Sequence, residues 1–285
     1  MRENIDIEME EIPCPVCGEA EYHLLHKEGR FQMVKCSSCQ FIYLNPRPTG
    51  EAILRFYQEY LPEDESSIEA WKRMMEPIFQ KAANIIDQYK NRGRLLDVGT
   101  GFGFFLAEMK RRGWEVAGVD VSEKAMEYAR TVLELTVYEG PLERIGFPEK
   151  DFDAVSGFYV IEHIPQPIGF LQECYRILKP GGLLLLRYPH TTPIKNLLRF
   201  FGIDNRLYDL PAHLADFSPK IIEQCLKRGG FKEWRHLIGG YTLPPDTGKK
   251  IASIIFGNLS EALFYLSGSK FLFPGVSKTI LGFKG

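Results

Sequence analysis

Hydrophobic and polar positions follow two patterns along this 285-residue chain. Some apolar runs are short and end in turn residues; in longer stretches apolar positions return every three or four residues. Leu95, Leu96 and Val98 form a run of the kind a buried parallel strand shows. Residues 102–112 then repeat apolar side chains at helical spacing, and Gly113 is placed to end that helix. Residues 114–119 predict a second strand, which runs into Asp120. Further strands are predicted at 135–138, 152–158 and 183–187, between helices at 122–133, capped by Ser122, and 167–179. Pro180-Gly181-Gly182 is read as the turn out of the second of these helices. A helix opening at Ser218 and Pro219 ends at Gly229 and Gly230, followed by strands at 231–237 and 278–283. Strands alternating with helices in this way predict an α/β fold.

Upstream the periodicity is helical only. Thr49 precedes a helix through Tyr60, and an acidic break at 62–65 follows. A second helical region covers about 67–90, with Pro77 marking a restart or kink. Its apolar positions Ile78, Phe79, Ala82, Ile85, Ile86 and Tyr89 share one face, which packs on the sheet edge, covers a ligand or acts as a lid. Two stretches interrupt the alternation downstream, at about 190–217 and 239–277. The second holds Ile251, Ile254, Ile255, Leu259, Leu263 and Leu266 at helical spacing, then Phe271, Leu272 and Phe273. Its readings are an oligomer interface, an apolar substrate wall, plain packing, or peripheral membrane contact through Lys249, Lys250 and Lys270.

Composition narrows the class. Apolar residues at 45 % and charged residues at 25 % suit a soluble globular chain, long enough for a full α/β core and an accessory module. A formal net charge of -2 gives no bulk attraction to nucleic acid. The acidic N-terminus lacks the apolar segment of a secretory signal, and no run reaches 18 apolar residues, so a cytoplasmic location is expected.

Six cysteines include two C-x-x-C pairs, Cys14 with Cys17 and Cys36 with Cys39, separated by 18 residues. That spacing falls in the range of a four-thiolate zinc site, and strands predicted at 31–35 and 41–44 flank the second pair as in a zinc ribbon. Four thiolates leave no open position, so the metal is expected to be structural. A redox dithiol would need only one pair. With four thiolates in place, His23 and His26 are not needed as ligands. Asn45-Pro46-Arg47-Pro48 forms a stiff connector behind the module.

The turn after the first strand carries Gly99, Gly101 and Gly103. A dinucleotide fingerprint would need its third glycine at position 104, which is Phe104. Asp97 at the strand end would repel a pyrophosphate but suits an ammonium or sulfonium. Asp120, with Val121 beside it, is placed to accept both hydroxyls of a ribose. A cationic amino-acid end joined to adenosine describes S-adenosyl-L-methionine.

This stretch resembles motif I and its downstream acid in class I S-adenosylmethionine-dependent methyltransferases. FPEKDFDAVSGFYVIEHI from Phe147 and LQECYRILKPGGLLLLRYP from Leu171 extend the resemblance to quinone-biosynthesis-type and related small-molecule methyltransferases, over about residues 94–237. The resemblance implies a Rossmann-like seven-stranded sheet over 93–285 with helical insertions and an antiparallel end, preceded by a zinc ribbon (1–48) and a helical connector (49–92). It places Leu142 near the adenine, although Pro141 stands where the family often has an acid. It places Phe158 and Tyr159 at the sulfonium, which an aromatic face favours, or in the core. Methyl transfer is an in-line displacement that needs alignment and exclusion of water, and a hydroxyl acceptor is helped by a base. His163 and His213, then His190, are the candidates, because histidine titrates in the useful range. Glu162 is read as structural, tying its turn to backbone N–H groups. The implied function is O-methylation of a small-molecule, lipid- or sugar-linked acceptor. A carbon or nitrogen nucleophile, needing less base, stays open. So do an RNA or protein methyltransferase docking through Lys27, Arg30, Lys35 and Arg47, and a binding module that has lost methyl transfer.

Overall fold

The computed structural model describes residues 8–58, 61–62, 64–203, 206–273 and 277–285. The N-terminal residues 1–7, the helix end expected at Tyr60, Glu63 of the acidic break, and parts of both insertions (204–205 and 274–276) lie outside these. The chain opens with five short strands: β1 (Met9–Glu10), β2 (Tyr22–Glu28), β3 (Phe31–Cys36), β4 (Ile42–Leu44) and β5 (Arg47–Pro48). Helices α1 (Gly50–Gln58) and α2 (Glu65–Tyr89) lead to the main sheet. Then come β6 (Arg94–Val98), α3 (Phe104–Arg111), β7 (Glu115–Asp120), α4 (Glu123–Thr131), β8 (Val137–Glu139), α5 (Leu142–Ile145), β9 (Phe152–Phe158), α6 (Pro167–Ile177) and β10 (Leu178–Tyr188). The last part holds α7 (Thr192–Phe200), β11 (Ala215–Asp216), α8 (Pro219–Arg228), β12 (Glu233–Leu237), α9 (Thr247–Leu266) and β13 (Lys278–Phe283).

Seven strands pair in the order β12-β13-β10-β9-β6-β7-β8. β13 runs antiparallel to both its neighbours, and the pairs from β10 to β8 are parallel. Strand order reverses between β6 and β9, so the loops leaving those two strands diverge and open a crevice at the carboxyl end of the sheet. Alternating side chains feed two cores. Leu184 and Leu186 face α6 and α8, whereas Leu183 and Leu185 face α2 and α3.

Four local expectations change. α2 runs unbroken across Pro77, because Met75, Ile78, Phe79, Ala82, Ala83 and Ile86 bury one side of it; that burial outweighs the lost backbone bond. Pro180-Gly181-Gly182 does not leave a turn between helix and strand; it is a register shift inside β10, between Leu178 and Leu183. Ser122 begins α4 but its side chain makes no cap bond. The cysteine module is also not a separate sheet: β11, from the first insertion, pairs antiparallel with β4 and joins the order β11-β4-β3-β2. Cys14, Val16, Cys36, Phe41 and Tyr43 therefore share a core with Tyr188, Phe217 and Ile221.

α9 packs through Ser260 and Phe264, and Lys81 of α2 meets Glu261 at 2.7 Å. Its opposite face is apolar and exposed, with Ile251, Ile255, Phe256, Leu259, Tyr265 and Leu266 in solvent. Among the described residues, no helix is long and apolar enough to cross a membrane.

Candidate active site

The turn after β6 takes its shape from its glycines. Gly99, Gly101 and Gly103 all have positive φ, at 68°, 51° and 79°, a region that side chains with a Cβ rarely enter. A Cβ on Gly99 would come within 2.2 Å of Val160 Cγ2. One on Gly103 would come within 2.6 Å of Leu135 Cδ1, and Gly103 does not line the crevice. Gly99 and Gly101 line the crevice; Gly103 packs against Leu135 and Ala129 instead.

Two carboxyl groups flank this turn. Asp97 is 2 % exposed and accepts a 2.6 Å hydrogen bond from Ser156 Oγ. Burial pushes its carboxyl up to about 7, and the Asp120 charge adds to the rise. Asp120 accepts from the Gly101 amide at 2.7 Å and from the Ser122 amide at 2.9 Å. Burial raises it too, against those amides and that of Val121. The Asp120 charge thus adds to the cost of ionising Asp97, a cost that a positively charged ligand would offset.

Both acids open into a cavity of about 790 Å³. Its floor is formed by Asp97, Val98, Gly99, Thr100 and Gly101, with Asp120, Val121 and Leu142 on one side and Phe158 and Tyr159 on the other. Tyr159 adopts φ 57°, strained for a residue with a Cβ. Arg187 Nε donates to its hydroxyl at 2.8 Å, and its own amide donates to the Arg187 carbonyl at 2.7 Å. The far wall was only partly legible in the sequence. Of the face predicted at 78–89 only Phe79 lines it, with Trp71, Met74 and Met75 from the turns before; Ile78, Ala82, Ile85, Ile86 and Tyr89 pack in the core on the sheet. Ile53, Leu54 and Tyr57 of α1 complete it, a contribution that no motif in the sequence signals. Among the described residues of the second insertion, Thr242 alone reaches the cavity.

His163 and His213 meet at this wall, ring centroids 5.0 Å apart. His163 Nδ1 lies 2.9 Å from the Ala212 carbonyl oxygen. A carbonyl only accepts, so Nδ1 carries the proton and the ring's lone pair sits on Nε2. The Tyr57 hydroxyl donates to the same carbonyl at 2.5 Å and lies 3.0 Å from Nδ1. Burial and the His213 ring pull the His163 imidazole down to about 3, so it is neutral across the physiological range. Burial lowers His213 as well. His190 does not line the cavity; its Nδ1 is buried without a hydrogen-bond partner among the described residues. Glu162 departs from its expected part: both oxygens are buried without a well-formed hydrogen bond among the described residues, and the one amide that acts on them is its own. An ionised carboxylate there would be costly, and burial raises the group to about 8, leaving it protonated at neutral pH. Glu162, His163 and His213 each bring one donor atom within 4.8 Å of the others.

The four cysteines converge within the N-terminal module. All four sulfurs lie within 4.8 Å of one another, with Cys14 and Cys39 at 3.6 Å and Cys17 and Cys36 at 3.5 Å. Zinc bound to four sulfurs at about 2.3 Å needs sulfur–sulfur edges of about 3.8 Å, so the cluster fits that ion. Arg47, one of the basic residues considered for docking, is buried and committed: it donates to Glu10 at 2.9 Å and to the Pro165 carbonyl at 2.7 Å.

Residues 96–186 match a family model described as a methyltransferase domain. Ubiquinone biosynthesis O-methyltransferase of Alkalilimnicola ehrlichii is 33 % identical over 141 residues, 47 % of this chain and 57 % of that protein. Its counterpart in Nitrosococcus oceani is 30 % identical over 156 residues, 51 % of this chain and 66 % of that protein. The matched part thus spans less than two thirds of these curated relatives. A SAM-dependent methyltransferase structure from Archaeoglobus fulgidus superposes with a TM-score of 0.54 at 20 % identity, covering 78 % of this chain and 100 % of that one. Haemonchus contortus phosphoethanolamine N-methyltransferase 2, in complex with S-adenosyl-L-methionine, gives 0.53 at 17 % identity, over 85 % and 62 %. At these identities the structures speak for the fold, which is that of class I methyltransferases.

Proposed function

We propose, from the methyltransferase domain at residues 96–186, that this chain methylates an oxygen of a small-molecule, lipid- or sugar-linked acceptor using S-adenosyl-L-methionine. The observation that carries the reading is the pair Asp97, buried, and Asp120, half-buried, at one end of the cavity and both raised in pKa. Asp97 would hold the ammonium end of the donor and Asp120 its ribose. Gly99 and Gly101 would let the backbone approach, Val121 and Leu142 would flank the adenine, and Phe158 and Tyr159 would wall the sulfonium. The bound donor supplies an already activated methyl group, so the chain's work is alignment and exclusion of water. The apolar wall from α1 and α2 favours an apolar or aromatic acceptor body. His163, neutral and with its lone pair on Nε2, would take the acceptor's proton, with His213 against its ring. Cys14, Cys17, Cys36 and Cys39 would hold a structural zinc ion, closed to substrate.

The names of the relatives support an oxygen acceptor on a small molecule. Calorimetry with S-adenosylmethionine, S-adenosylhomocysteine and NAD on zinc-loaded protein tests the reading. Binding of the first two but not NAD is expected; binding of none overturns it.

A further inference from the structure

The strand that brings His213 to the cavity is held by the cysteine module rather than by the main sheet. Cys36 and Cys39 lead directly into β4, whose Tyr43 and Ile42 pair with Ala215 and Asp216 of β11. The Leu44 amide donates to the Leu214 carbonyl at 2.8 Å, and the Leu214 amide donates to the Glu162 carbonyl at 2.8 Å. Leu214 therefore bridges the module's edge strand and the turn that carries His163. Two residues on either side, at Ala212 and Asp216, further hydrogen bonds continue the grip. Tyr57, from the helix that follows the module, donates to Ala212, the carbonyl that also fixes the His163 tautomer. Arg47 closes the far side by donating to Pro165. The Asp216 carboxylate in turn accepts from the Thr191 and Thr192 amides, which start α7. Among the described residues, the hydrogen bonds of β4 and β5 to the methyltransferase domain end at 165 and 214–216, and none reaches the glycine turn.

We propose that the four-cysteine module is the positioning element of the acceptor side: it sets the 210–217 segment, and through Tyr57 and Leu214 the His163–His213 pair, without acting on the donor side. Tyr57 is a positioning residue on this view, acting through Ala212 and His163. The proposal rests on the function above only in assigning the histidine pair to the acceptor. Nothing in the sequence joins residues 36–44 to 210–217; the β4–β11 ladder does.

Hydrogen–deuterium exchange on the full-length, zinc-loaded chain, before and after chelation, tests this. Exchange across 210–217 is expected to speed by at least about tenfold on metal removal. Exchange across 94–120 should change by less than about twofold, and S-adenosylhomocysteine affinity should also stay within about twofold. Unchanged exchange at 210–217 overturns the proposal. So does equal loosening of both regions with loss of ligand binding, since the module then supports the whole fold. Should chelated protein precipitate, Tyr57→Phe with zinc retained takes its place. Faster exchange at 210–214 and an altered His163 ring NMR signature at unchanged ligand affinity support the coupling, and wild-type behaviour in both overturns it. Failure of zinc-loaded wild-type protein to bind S-adenosylhomocysteine would instead strike the functional reading, with the exchange contrast still readable.

Discussion

The two ends of the cavity are built on different principles. The end proposed for the donor is local: Asp97, Gly99, Gly101 and Asp120 belong to one strand–turn–helix–strand unit, and the Gly101 amide and Asp120 carboxylate that meet at 2.7 Å are 19 residues apart. The end proposed for the acceptor is assembled from distant pieces, for Tyr57 and the Ala212 carbonyl are 155 residues apart. A local site keeps its chemistry as long as its own turn is intact. A site assembled from three segments depends on whatever holds those segments together, and here two of the three are tied to the cysteine module.

Substitutions at the two ends should therefore separate cleanly. The largest effect is expected at the donor end. Asp97→Asn should weaken S-adenosylmethionine binding by at least about 100-fold, in line with removing one partner of a buried charge pair, read by calorimetry. The same variant should melt at a higher temperature than wild type at pH 7.5 when ligand-free, and match it near pH 4. The sign follows from the raised carboxyl. Folded protein holds the Asp97 proton more tightly than the unfolded chain, so the stability this proton confers is full below the ordinary value of 3.8 and is lost as pH rises through about 7. Asparagine keeps the neutral form at every pH. A melting point that falls at pH 7.5 would show that Asp97 is held for the fold and not for a ligand.

At the acceptor end His163→Phe should slow methyl transfer by about 100-fold or more while leaving S-adenosylhomocysteine affinity unchanged. A loss of binding of the same size would erase the comparison, because it would mean the histidine serves the donor. Next in size is pH. Donor affinity should fall by about tenfold between pH 8 and pH 6 as Asp97 takes up its proton. His163, already neutral, should add no step between pH 5 and 8. Calorimetry across that range would expose a second titration if the histidine were charged. The smallest effect is expected for Glu162→Gln, which should leave stability near pH 4.5 unchanged. The variant should gain over wild type as pH rises toward about 8, where the buried wild-type acid ionises. Thermal melts over that range decide it.

Much of this was open to reading from the chain. The run at Leu95, the positive-φ demand at residues 99–103 and the acid at 120 are contiguous, and β9 and β13 fall where the periodicity placed them. The cysteine spacing, too, is a property of the chain alone. Gly103 was read for the donor on pattern, yet what it meets is Leu135, a packing partner that a spacing rule does not see. His190 was grouped with His163 and His213 because all three follow strands; only two reach the cavity. Glu162 reads as a turn-tying acid, yet its buried oxygens make no well-formed hydrogen bond among the described residues and feel only their own amide. Pro77 argued for a break that the burial of α2 overrode.

The division has a physical cause. Backbone conformation, helix periodicity and ligand spacing are set by neighbours along the chain, so the sequence by itself determined the α/β order, the glycine turn with its two acids, and the four-thiolate module. Side-chain surroundings at the acceptor end are set by what folds against them. Which histidines face the cavity, which nitrogen carries the proton, and the dependence of both on an edge strand of the cysteine module were decided only when β11 paired with β4.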